Sequence, residues 1–101
     1  MSETNHIVTL QEAQVMTHAY QNSPDFAGKT IASKISASAY QALITQPGCE
    51  AVRTYFGLKD NTLTIVVVGV DAIGNDMTAG IILDNADNCP TKCPNASSLM
   101  S

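Results

Sequence analysis

A chain of 101 residues accommodates one domain and buries roughly two-thirds of the surface its unfolded form exposes. At 45% hydrophobic and 14% charged residues it is no disordered polyelectrolyte, and Gly 6 with Pro 4 excludes a collagen-like or low-complexity chain. Lys+Arg 5 against Asp+Glu 9 gives a net charge of −4, which removes nucleic acid and an anionic membrane surface from the expected partners.

The N-terminus, Met1-Ser2-Glu3-Thr4-Asn5-His6, has no basic stretch followed by an apolar one, so no signal peptide is expected. The strongest apolar run, Leu63 to Val70, is too short to span a bilayer. The expected compartment is the cytoplasm. Cys 3 is an odd count, which suits a closed disulfide framework poorly.

In chain order, Thr9-Leu10-Gln11-Glu12 has capping-box spacing and predicts a helix from Leu10 to Asn22, ending before Ser23-Pro24. Leu10, Ala13, Met16, Ala19 and Tyr20 share one broad face, expected to be buried, and His18 lies on the polar face. Thr30 to Ile35 is a weak strand. Ser36 caps a second helix from Ala37 to Gln46, with Ala39, Tyr40, Leu43 and Ile44 on its inner face and Pro47-Gly48 ending it.

Cys49 to Phe56 reads as a strand, residues 57–61 as a turn, and Leu63 to Val70 as the next strand. Both alternating sets of that second strand are mostly apolar, so it is expected at the centre of its sheet with Val66 and Val68 buried. Gly74-Asn75 marks a further turn, Ala79 to Leu83 a third strand, and the chain from Asp84 reads as an irregular tail. The predicted fold is one α+β domain, a two-layer sandwich with a three- to four-stranded antiparallel sheet packed by two helices.

The helix from Leu10, the runs Gln46-Pro47-Gly48-Cys49 and Arg53-Thr54-Tyr55-Phe56-Gly57, the runs Val68-Gly69-Val70-Asp71-Ala72 and Gly74-Asn75-Asp76, and the closing Cys89-Pro90-Thr91-Lys92-Cys93-Pro94 resemble a family of small uncharacterised bacterial proteins. The resemblance covers most of the chain and implies neither an activity nor a site.

The residues themselves offer two constellations. Arg53 falls inside a strand on the same face as Cys49, Ala51 and Tyr55, where a cation must snorkel or find a carboxylate. Asp71 and Asp76 follow the next strand and are the expected partners. Such a group is either a structural ion pair that pins the hairpin or an anion site beside Tyr55. Cys89 and Cys93 stand one helical turn apart, within reach of a local disulfide, with Cys49 as a conceivable third thiolate around a metal. Unpaired structural thiols are the plain alternative.

No cofactor fingerprint is present: no Gly-rich loop joins a strand to a helix, and the turns at 71–76 and 84–88 lack calcium-loop spacing. Three functional readings follow. The first is a non-enzymatic binding or interaction module that self-associates as a homodimer, because Ala79 to Leu83 carries no charge to blunt a sheet edge. The second is a thiol-redox or metal-binding protein using Cys89, Cys93 and Cys49. The third is a small enzyme around Arg53, Tyr55 and Asp71. The small-molecule ligand of any of them is unknown from sequence.

Overall fold

The computed structural model describes residues 6–100. Two helices, α1 (Leu10–Asn22) and α2 (Ala37–Ile44), accompany five strands: β1 (Ala32–Lys34), β2 (Ala51–Lys59), β3 (Thr62–Val70), β4 (Ile82–Leu83) and β5 (Asp87–Cys89). All pairings are antiparallel, in one sheet of order β2-β3-β4 and one ribbon of β1 with β5. The α+β class expected from the sequence is the observed one.

Both helix starts follow from their caps. The Glu12 N–H donates to Thr9 Oγ1 at 3.1 Å, and the Thr9 N–H donates back to Glu12 Oε1 at 2.9 Å. That backbone donor, ahead of the Thr9 hydroxyl, holds the Glu12 carboxyl below its ordinary value. Ser36 caps α2 by accepting from the Ala39 N–H at 3.2 Å.

β3 is the central strand, as its two apolar sides require. Val67, Val68 and Val70 are buried, whereas Val66 is only half-buried, so the cover on its face is incomplete there. The hairpin is longer than the sequence reading placed it. Gly57 pairs with Thr64 and Lys59 with Thr62, so the turn shrinks to Asp60-Asn61. Both of those residues have positive φ, 51° and 63°, the geometry of a two-residue turn whose twist matches the strands.

The expected strand from Ala79 to Leu83 is reduced to Ile82–Leu83. Residues 77–80 turn instead, with the Gly80 N–H donating to Met77 O at 3.1 Å. The Ile81 N–H is taken by Gln46 Oε1 at 2.8 Å, so no strand partner receives it. Gln46 also donates through Nε2 to Leu43 O at 2.8 Å, closing the carbonyl end of α2. One amide thereby fastens α2 to the chain entering β4. It fills the space that side chains at Gly69 and Gly80 would need.

The segment after Asp84 is not an irregular tail throughout. Its residues 87–89 pair with β1, and Asn88 Oδ1 accepts from the hydroxyls of Ser33 and Thr64, tying the ribbon to β3. Farther on, Ser98 O lies 2.9 Å from His18 Nε2 and Leu99 O accepts from Gln21 Nε2 at 3.0 Å, so the polar side of α1 receives this segment.

The two helices differ in what they bury. Leu43 of α2 is 0% exposed, as is Val67 of β3. α1 buries no residue at all: Leu10, Met16 and Ala19 of its apolar face are exposed, Ala13 and Tyr20 half-buried. No helix among the described residues is long and apolar enough to cross a membrane.

Candidate functional site

Residues opposite each other in a ladder share a face. Phe56 opposite Ile65 and Leu58 opposite Leu63 therefore continue the face of β3 that carries Val67 and Gly69. At the Val67–Gly69 end that face meets α2 and Gln46. At the Leu63–Ile65 end it meets open space.

That space is a cleft of about 890 Å3 between the hairpin, β1 and α1. Its volume lies in the range of roughly 300–1,000 Å3 usual for small-molecule sites. Met16, Tyr20 and Phe26 form one wall, Ile31 lies on another, and Phe56 and Leu58 face them from β2. Phe56 is 79% and Leu58 74% exposed, a large cost in apolar surface left in water.

The cleft has a built frame. Tyr20 stacks on Phe26 with ring centroids 4.8 Å apart. The Tyr20 hydroxyl donates to Thr30 O at 2.8 Å, and the Thr30 hydroxyl donates to Leu63 O at 2.5 Å. This relay of two hydrogen bonds spaces α1 from the hairpin without closing the gap between them. A second, more polar recess of about 460 Å3 adjoins it, sharing Lys29, Thr30, Leu58 and Leu63 as walls.

Of the residues singled out by sequence, Arg53, Tyr55 and Asp76 come together. Arg53 Nη1 donates to Asp76 Oδ1 and the Tyr55 hydroxyl to Asp76 Oδ2, with Arg53 also 3.4 Å from Gly74 O. The Tyr55 hydroxyl first, with the Arg53 guanidinium, holds the Asp76 carboxyl below its ordinary value. Asp76 in turn raises the Tyr55 phenol and the Arg53 guanidinium. Both carboxylate oxygens are engaged, which makes the group an ionic latch from β2 to the loop after β3. Asp71 is not part of it. Its Oδ1 accepts from the N–H groups of Ile73 and Asn75 at 3.1 and 2.9 Å and shapes the loop from inside.

Cys89 and Cys93 form a disulfide, with Cα atoms 4.7 Å apart. Cys89 is 1% exposed at the end of β5, and its carbonyl accepts from the Ile31 N–H at 2.8 Å. Cys49 does not join them. It is a free thiol beside Gly69, donating to Ala51 O at 3.3 Å. Among the described residues no three of His, Cys, Asp and Glu gather as a metal would need, and sulfurs bonded to each other are not thiolate ligands.

The cleft is the feature that sequence reading missed. The signal was present in Phe56 and Leu58, apolar residues at alternating positions of an edge strand. The sequence pattern alone places them at a strand end and in a turn. No family model, curated protein or solved structure matches this chain.

Proposed function

We propose that this chain is a non-enzymatic binding module whose working surface is the apolar cleft between α1 and the β2–β3 hairpin. The observation that carries this reading is the combination of a framed cavity with walls left in water: Phe56 and Leu58 are the most exposed large apolar side chains of β2, yet they line one cleft with Met16, Tyr20 and Phe26. Monomeric proteins rarely leave contiguous apolar surface of this kind without a use for it. The Arg53–Tyr55–Asp76 group supports the same reading, because both oxygens of its one carboxylate are already engaged within the protein.

The test is titration with a neutral, environment-sensitive apolar dye such as Nile red. Saturable binding by the wild-type chain, lost in Leu58→Ser and unchanged in Arg53→Gln, supports the cleft. Binding that survives Leu58→Ser undiminished overturns it.

A second reading, self-association as a homodimer, is favoured by one specific observation. β2 is the outer strand of its sheet, nine residues long, and its outer edge has no strand partner among the described residues. Sedimentation at tens of micromolar, on the order of the range where such edges reveal themselves, gives dimer if this edge pairs and monomer if it does not. The Cys89–Cys93 disulfide favours an oxidising compartment over the expected cytoplasm. Thiol titration of freshly isolated, unreduced protein then finds Cys49 alone.

A further inference from the structure

We propose that the cleft takes a single-chain amphiphile with a carboxylate head, its tail between α1 and the hairpin and its head in the adjoining recess beside Lys29. This rests on the reading of the cleft as the binding surface and names its occupant.

The two spaces are graded in the way such a molecule is. The larger, about 890 Å3, is walled by Met16, Phe26, Ile31 and Phe56. The smaller, about 460 Å3, sets Lys29, Asn61 and Thr62 beside Leu58, Leu63 and Pro90 and is the more polar of the two. Lys29, Thr30, Leu58 and Leu63 belong to both, so the spaces meet along these four residues, and Asn61 and Thr62 add polar walls on the recess side. A ligand spanning the junction meets mostly apolar side chains at one end and a mixed wall, with one lysine, an amide and a hydroxyl, at the other.

Charge complementarity selects the head. The chain carries Asp+Glu 9 and a net charge of −4, yet among the described residues no acidic one lines either space. Asp60, in the hairpin turn beside Asn61, does not line the recess. The ion pairs among the described residues are Lys34 with Asp87 and Arg53 with Asp76, and neither involves Lys29. One uncommitted ammonium complements a monoanion. A phosphate monoester brings a second negative charge for which the recess holds no second cation. A neutral head leaves the ammonium unused. Apolar burial supplies most of the affinity, and the ion pair sets which end goes where.

The experiment compares dodecanoate with dodecanol, both below their micellar concentrations, by displacement of the apolar dye from the full chain. The expected result is that dodecanoate displaces dye about fivefold better than dodecanol, the size of a partly exposed ion pair. Lys29→Gln abolishes that preference and leaves dodecanol unchanged. Added salt narrows the preference in the wild type. Equal displacement by the two in the wild type, or an undiminished preference in Lys29→Gln, overturns the assignment of the head. Dye that binds in the cleft but is displaced by neither compound overturns the amphiphile and leaves the cleft reading standing. Dye that does not bind the cleft overturns both.

Discussion

One face of β3 meets two different fates along its length. Toward Val70 it is closed: Val67 is fully buried, Leu43 of α2 is sealed, and Gln46 fills the space above Gly69. Toward Thr62 the same face is open: Leu63 and Ile65 look into the cleft, and Phe56 and Leu58 stand in water. The side chains at the two ends are chemically alike. What differs is the covering helix. α2 is held close by an amide that satisfies its last turn, whereas α1 is spaced off by the relay from Tyr20 through Thr30 to Leu63. Under the proposed function, stability and binding belong to opposite ends of one strand.

The closed end predicts the largest mutational effects. Leu43→Ala removes a sealed side chain and leaves a cavity, and should cost about 3 kcal/mol in urea unfolding. If it costs under about 1 kcal/mol, the α2 side is not the core. Cys93→Ser releases a disulfide with sequence separation 4. The loop-entropy relation gives about 2 kcal/mol for so short a ring. The loss should appear as a lower midpoint and should leave dye binding intact, since neither cysteine lines the cleft.

Gly80→Ala tests the amide. A Cβ there falls 2.3 Å from Gln46 Oε1, so Gln46 must swing away and surrender its bonds to Ile81 and Leu43. The expected cost is about 1–2 kcal/mol. The double variant with Gln46→Ala should recover part of it, because the clash then vanishes; no recovery in this cycle contradicts the interlock.

The ionic latch responds to acid. Asp76 has a folded value below its unfolded one, so its contribution is complete above the unfolded value of about 3.9. It is lost as pH falls through the lower folded value. Asp76→Asn should flatten this part of the stability–pH curve, and an unchanged curve removes the latch from the account. The smallest effect belongs to the open end. Leu58→Ser should change stability by no more than about 0.5 kcal/mol, as substitutions outside the packed core do, while abolishing dye binding.

Much of this arrangement is legible in the sequence, for reasons that are local. The Thr9–Glu12 box and the Ser36 cap are short-range hydrogen-bond chemistry, and both helices start where those residues place them. The spacing of Cys89 and Cys93 is a local geometric constraint, and so is their pairing. The centrality of β3 follows from valines on both of its sides. The errors arise where a distant group intervenes. Gly57 reads as a turn residue but is held in the ladder opposite Thr64. Ile81 reads as strand, but its N–H is claimed by Gln46 from 35 residues away. Above all, the apolar period of α1 reports which residues favour burial and not whether the rest of the chain supplies the cover. Met16 and Leu10 have the pattern of a core face and sit in water.

Methyl NMR during a dye titration tests the division of β3 most directly. The account predicts saturable shifts at Ile31, Leu58, Leu63 and Ile65, and none at Leu43 or Val67 on the closed side. Unmoved cleft methyls, or shifts spread equally over Leu43 and Val67, contradict it.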